Sequence, residues 1–130
     1  MTELANQQLA DLMLTLFERE RELRPRSLHF SKPHSAWFLH LRMNTSRTCD
    51  KIDTELATQL CESSMVRWLT SNGLAPGIAE DEHYAPGENR FSVCLNTPSL
   101  GIFWASTLVE ALAAACTAVL DANQSEVNRD

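Results

Sequence analysis

The chain has 130 residues, 44% of them hydrophobic and 22% charged, with a formal net charge of −6. That length suits one domain able to bury roughly two-thirds of its unfolded surface without staples, and no apolar run approaches the roughly 18–20 residues of a membrane span. The start, MTELANQQLADLM, lacks the basic and apolar regions of a secretion signal, so a cytoplasmic location without membrane contact is expected.

Residues 2–23 are predicted to be a helix. Leu9, Leu12, Met13, Leu16 and Leu23 recur near helical spacing, Thr2 is a candidate N-cap, and Pro25 forces a stop. Residues 27–42, SLHFSKPHSAWFLHLR, read as a hairpin turning over 31–34, with Phe30 opposite Ser35 and His29 opposite Ala36. Leu28, Phe30, Trp37, Leu39 and Leu41 then share a core face. A second helix is predicted over 50–72, with Asp50 as cap and Asn72-Gly73 as stop. Its apolar stripe is Leu56, Ala57, Leu60, Cys61, Met65, Trp68 and Leu69.

Residues 74–90, with two Ala-Pro-Gly turns, read as a long loop. The stretch FSVCLNTPSLGIFWAS reads as a second hairpin, with Leu95 opposite Leu100, Val93 opposite Ile102 and Phe91 opposite Trp104, all on one face. Its other face, Ser92, Cys94, Gly101, Phe103 and Ala105, is partly apolar and calls for a cover. The last helix, 107–122, opens on Thr107 and Glu110, a capping box. Leu108, Ala111, Leu112, Ala115, Cys116, Val119 and Leu120 are its predicted buried face, and 123–130 a frayed polar tail. The expected fold is α+β: a single domain over 1–122, an antiparallel sheet of about four strands in two hairpins, and three helices packed on it, in the order α-ββ-α-ββ-α.

Cys49, Cys61, Cys94 and Cys116 form no CxxC pair, which argues against a zinc knuckle and for reduced, mostly buried thiols. Cys49, just ahead of the second predicted helix, is the one worth testing for reactivity. His29, His34 and His40 invite a metal, but in the expected register His29 and His40 are four strand residues apart, about 13 Å, and a zinc about 2 Å from each ligand cannot span that. Glu80, Asp81, Glu82 and His83 lie in the long loop without EF-hand spacing and read as solvated acids. No hydrolase, zinc-protease, phosphate-loop or dinucleotide motif is present, so neither an enzyme nor a cofactor is expected.

Charge is unevenly spread. Residues 1–51 hold eight Lys/Arg against six Asp/Glu, and 52–130 hold three against eleven. The basic stretch 19–47 contains Arg19, Arg21, Arg24, Arg26, Lys32, Arg42 and Arg47, with Trp37 and Phe38 among them. Such a patch can attract nucleic acid or an acidic protein.

The order DTELATQLCESSMVRWLTSNG, FSVCL, GIFWAS, TLVEALAAACTAVLDA resembles the small phage αββα "ABA sandwich" proteins over residues 50–122. The helix and strand order is also similar to that of class I type III secretion chaperones. The first resemblance implies a phage or prophage protein; the second implies a small, acidic homodimer. The function expected from the whole is a small, non-catalytic protein-binding module, which if phage-encoded occludes a host protein or defence complex as an anti-CRISPR-like inhibitor. Partner contacts are expected at Glu80, Asp81, Glu82, Glu88, Arg19, Arg24, Arg26, His29, His40 and Arg42. The alternatives are a nucleic-acid-binding regulator using 19–47 and a dimeric secretion-chaperone-like protein; the state is monomer or homodimer.

Overall fold

The computed structural model describes residues 3–16, 28–43, 46–80, 90–97 and 100–128. The described residues are α+β, with three helices and two three-stranded antiparallel sheets: α1 (Glu3–Leu16), β1 (Leu28–Ser31), β2 (Ala36–Met43), β3 (Ser46–Ile52), α2 (Thr54–Ser71), β4 (Gly77–Glu80), β5 (Phe91–Cys94), β6 (Ile102–Ala105) and α3 (Leu108–Asn128). The sheet orders are β1-β2-β3 and β4-β5-β6. The expected single four-stranded sheet is therefore corrected to two sheets of three, in the order α-βββ-α-βββ-α. Contacts divide the chain into two compact units, Met1–Ser64 and Met65–Asp130, with the division inside α2.

In the first unit α1 packs against β1. Leu9, Met13 and Leu16 of the helix are buried, as are Leu28, Phe30 and Trp37 of the sheet. The core face of the first hairpin is thus the expected one, and Phe30 pairs directly with Trp37, ring centroids 5.4 Å apart. The turn differs. It occupies 32–35, with Ser31 still in the ladder opposite Ala36 and the Ser35 N–H donating to the Lys32 carbonyl at 3.2 Å. Ser35 takes φ +48°, the left-handed conformation that closes the loop. Because the pairing moved by two residues, every side chain kept its face.

The segment expected to begin α2 at Asp50 is instead strand. β3 pairs along β2 from Trp37↔Ile52 to Met43↔Ser46, and Asp50 lies opposite Leu39. The helix cap is Asp53, whose carboxylate accepts the Leu56 N–H at 2.7 Å while its carbonyl accepts the Ala57 N–H at 3.1 Å. Along α2, Ala57, Cys61, Ser64, Met65, Trp68 and Leu69 are buried. Leu56, expected on the stripe, is 42% exposed; Ser64 is buried in the stripe and satisfies its hydroxyl on the Leu60 carbonyl.

In the second unit α2 ends as expected at Gly73, φ +79°. The Leu74 N–H donates to the Leu69 carbonyl and the Gly73 N–H to the Thr70 carbonyl, both at 3.0 Å, a Schellman pair. The first residues of the predicted loop 74–90 include a strand, β4, fully exposed along its length and paired with β5. Glu80 of β4 forms an ion pair with Arg90. The helix α3 packs against β5 and β6. Thr107 caps it as expected: the Glu110 N–H donates to Thr107 Oγ1 at 3.3 Å, while that hydroxyl, rather than the Thr107 N–H of a full capping box, donates to the Glu110 carboxylate at 2.9 Å. Val109, Ala111, Leu112, Ala115, Cys116 and Val119 are buried, and the helix continues through the polar segment to Asn128.

The second hairpin slips by one residue from its expected register. Val93 faces Phe103, Cys94 faces Ile102 and Ser92 faces Trp104. The cause lies in the turn. The Leu95 N–H donates to the Gly101 carbonyl at 3.1 Å, and the Leu100 and Gly101 N–H groups both donate to the Thr97 carbonyl at 3.3 Å. Leu100 is thereby drawn into the loop, and Gly101 at φ +78° returns the chain to the strand. A slip of one residue sends each side chain of β6 to the opposite face.

Candidate interaction surfaces

That slip creates the first candidate surface. Val93 and Leu95 are buried, 0% and 3% exposed, while Ile102 and Trp104 are 54% and 45% exposed. Period-two alternation puts Ile102 and Trp104 on one face with Ala79, Ser92 and Cys94. No charged residue occupies that face among the described residues. β6 is also an edge strand, and its sequence Ile-Phe-Trp-Ala carries none of the lysines, prolines or bulges that usually protect an edge. A four-residue loop places Ile102 and Trp104 in the core; the fifth loop residue, Leu100, reverses their face.

The second candidate is a face of the sheet β1-β2-β3. The ladder sets His29 opposite Phe38 and Phe38 opposite Lys51, then His40 opposite Cys49, then Arg42 opposite Arg47. These positions share one face, the one opposite Phe30 and Trp37. His29, Cys49 and Lys51 are exposed. The His29 ring stacks on Phe38 with centroids 5.7 Å apart, and His34 of the turn meets Phe38 edge-on at 5.9 Å. His34 Nδ1 also hydrogen-bonds Ser31 Oγ at 2.9 Å.

The observed register corrects the metal argument. His29 and His40 lie two strand residues apart along the ladder rather than four, about 7 Å instead of about 13 Å. Among the described residues no group of three His, Cys, Asp or Glu side chains could hold a metal ion. Cys49 stands in mid-strand rather than ahead of a helix. Cys61 and Cys116 are fully buried, and burial, helped at Cys61 by the nearby Glu62 carboxylate, pushes both thiols up to about 12. Such thiols are inert at neutral pH. The Glu62 carboxyl is itself raised by partial burial.

The expected contact residues divide three ways. His29, His40 and Arg42 occupy backbone positions on the sheet face just described, as do Lys51 and Arg47. Glu80 is exposed and paired with Arg90. Arg19, Arg24, Arg26, Asp81, Glu82 and Glu88 lie outside the described residues, as do residues 17–23 of the first predicted helix and its cap Thr2. Lys51 was missed because it was assigned to a helix start, where strand alternation gives no guidance. Among the described residues no helix is long and apolar enough to cross a membrane. Comparison with protein-family models, with curated proteins and with solved structures gave no match.

Proposed function

We propose that the protein is a non-catalytic, protein-binding module that works as a homodimer, the reading in which it is similar to small acidic secretion chaperones. The observation that supports it is the exposure of Ile102 and Trp104 on a face of the edge strand β6 that carries no charged residue among the described residues. A two-fold interface sets each patch against its own copy. In a chain of net charge −6, an uncharged face is the one that meets its copy without repulsion.

The scale fits. Trp104 is 45% exposed, which leaves about 90 Å² of a roughly 200 Å² residue surface open. Covering it contributes about 2 kcal/mol, and covering the exposed half of Ile102 about 1 kcal/mol. Two-fold symmetry counts both residues twice, giving about 6 kcal/mol from these anchors alone, the scale of interface hot spots.

Tryptophan fluorescence tests this directly. Trp37 and Trp68 are 1% and 4% exposed, so quenching by acrylamide reports Trp104 almost alone. Quenching is expected to weaken as protein concentration rises through the dimerisation range. Quenching that is strong and independent of concentration contradicts the proposal. Of the acidic residues expected to occlude a host protein, Glu80 is paired with Arg90, and Asp81, Glu82 and Glu88 lie outside the described residues.

A further inference from the structure

We infer that α1 is a displaceable occupant of its own seat, and that the sheet face bearing Leu28, Phe30 and Trp37 receives an amphipathic helix of a partner that is apolar where α1 carries Asn6. Only the first unit is involved, whether or not the chain dimerises through Ile102 and Trp104. The seat is shaped for a helix, because a helix fills it. α1 packs against β1, and its stripe of Asn6, Leu9, Ala10, Met13 and Leu16 is buried, as are Leu28, Phe30 and Trp37 of the sheet.

α1 fits that seat imperfectly. Asn6 is 8% exposed, and its side-chain carbonyl oxygen has no hydrogen-bond partner. Trp37, 1% exposed, leaves its indole N–H without one as well. These are the two buried side-chain polar atoms so placed among the described residues, and both belong to the first unit. Seating the helix costs Asn6 its hydrogen bond to water and returns nothing. Trp37 shares the face of Leu28 and Phe30, so opening that face gives water a path to the indole N–H.

Among the described residues no polar side-chain contact ties α1 to the sheet. Its side-chain hydrogen bonds stay within the helix: Gln7 Nε2 donates to Asp11 Oδ1 and Thr15 Oγ1 to the Asp11 carbonyl, both at 3.0 Å. β1 is a four-residue edge strand, so the helix rests on the rim of its sheet. What holds α1 is apolar contact, which is non-directional and serves another helix with a matching stripe. Leucine in place of Asn6 keeps the contacts of Leu9, Met13 and Leu16 and removes the orphaned oxygen. The partner helix is therefore apolar at four stripe positions spaced as Asn6, Leu9, Met13 and Leu16 are.

Hydrogen exchange of the full chain, read by mass spectrometry, tests the release of α1. Its amides are expected to exchange through a local opening, faster than those of β2, the central strand of the same sheet. Asn6→Leu is expected to slow them about tenfold, the scale of one unsatisfied buried group. Equal exchange of α1 and β2, or no slowing by Asn6→Leu, overturns the inference. The second arm is fluorescence anisotropy of two labelled peptides copying Glu3–Leu16, one unaltered and one with Asn6→Leu, added to the full chain. The Asn6→Leu peptide is expected to bind about tenfold more tightly than the unaltered one, and to bind an Asn6→Leu chain about tenfold more weakly than the wild type. Ile102→Lys, at the exposed apolar site of the second unit, is expected to leave peptide binding unchanged. Absence of saturable binding, equal binding of the two peptides, or loss of binding in the Ile102→Lys chain overturns the inference.

Discussion

Gly101 decides which residues of the second hairpin are displayed, and replacing it with alanine tests that role. Its φ of +78° lies in the left-handed region, yet an added Cβ would meet nothing within 4 Å. The cost of Gly101→Ala is therefore conformational rather than steric. A non-glycine residue there loses about 1–2 kcal/mol, partly offset by about 0.4–1 kcal/mol from restricting the unfolded chain. The expected net loss is about 1 kcal/mol. Gly77→Ala is the control. Its Cβ would make ordinary contacts of 3.7 and 3.9 Å with Cys94, and its φ is not left-handed. It is expected to be neutral or to stabilise by up to about 1 kcal/mol. Urea titration followed by circular dichroism should show the Gly101→Ala midpoint falling and the Gly77→Ala midpoint holding or rising, at similar slope. If Gly101→Ala proves as harmless as Gly77→Ala, the hairpin does not use the left-handed turn. Its register would then be Leu95 opposite Leu100, and Ile102 would share the face of Val93.

Three further outcomes follow from the described residues. Cys49 and Cys94 are exposed while Cys61 and Cys116 are buried; a thiol reagent at neutral pH should label two sites per chain quickly and four only after unfolding, as intact mass will show. The two buried thiols have folded-state values raised from 9.0 to about 12. They hold their protons longer folded than unfolded, so they leave stability unchanged below pH 9 and remove it between pH 9 and about 12, at about 1.4 kcal/mol per pH unit for each group. Urea midpoints measured from pH 8 to 11 should fall accordingly, and less steeply in Cys116→Ala. Ser35, at φ +48° in the first turn, is strained as a non-glycine residue; Ser35→Gly should raise the thermal midpoint, corresponding to up to about 1 kcal/mol.

The sequence made the apolar faces of β1 and β2 legible, along with the Thr107 cap of α3 and the glycine stop of α2, because each leaves a local signature. β3 and β4 escaped notice for a shared reason. Each is an edge strand, β4 exposed along its whole length and β3 polar at most positions, so neither shows the alternation that burial imposes. The cap of α2 was misplaced because Asp50 and Asp53 are equally good candidates from composition. What separates them is pairing with β2, a non-local fact. The exposed pair Ile102 and Trp104 turned on whether Leu100 belongs to the strand or the loop, which hydrogen bonds to Thr97 decide. The second candidate face was half legible: His29, His40 and Arg42 fall in one segment, whereas Arg47 and Lys51 take positions on it only through the ladder.

Sedimentation equilibrium of the wild-type chain beside Ile102→Lys tests the central claim most directly. Ile102 is 54% exposed, so the substitution leaves the buried core untouched, while it sets two lysines against each other across a two-fold contact. The wild type is expected to reach twice the 14.6 kDa chain mass at concentrations of about 100 μM, and Ile102→Lys to remain at the monomer mass with an unchanged circular dichroism spectrum. A wild type that stays monomeric throughout, or a variant that dimerises as well as the wild type, contradicts the account.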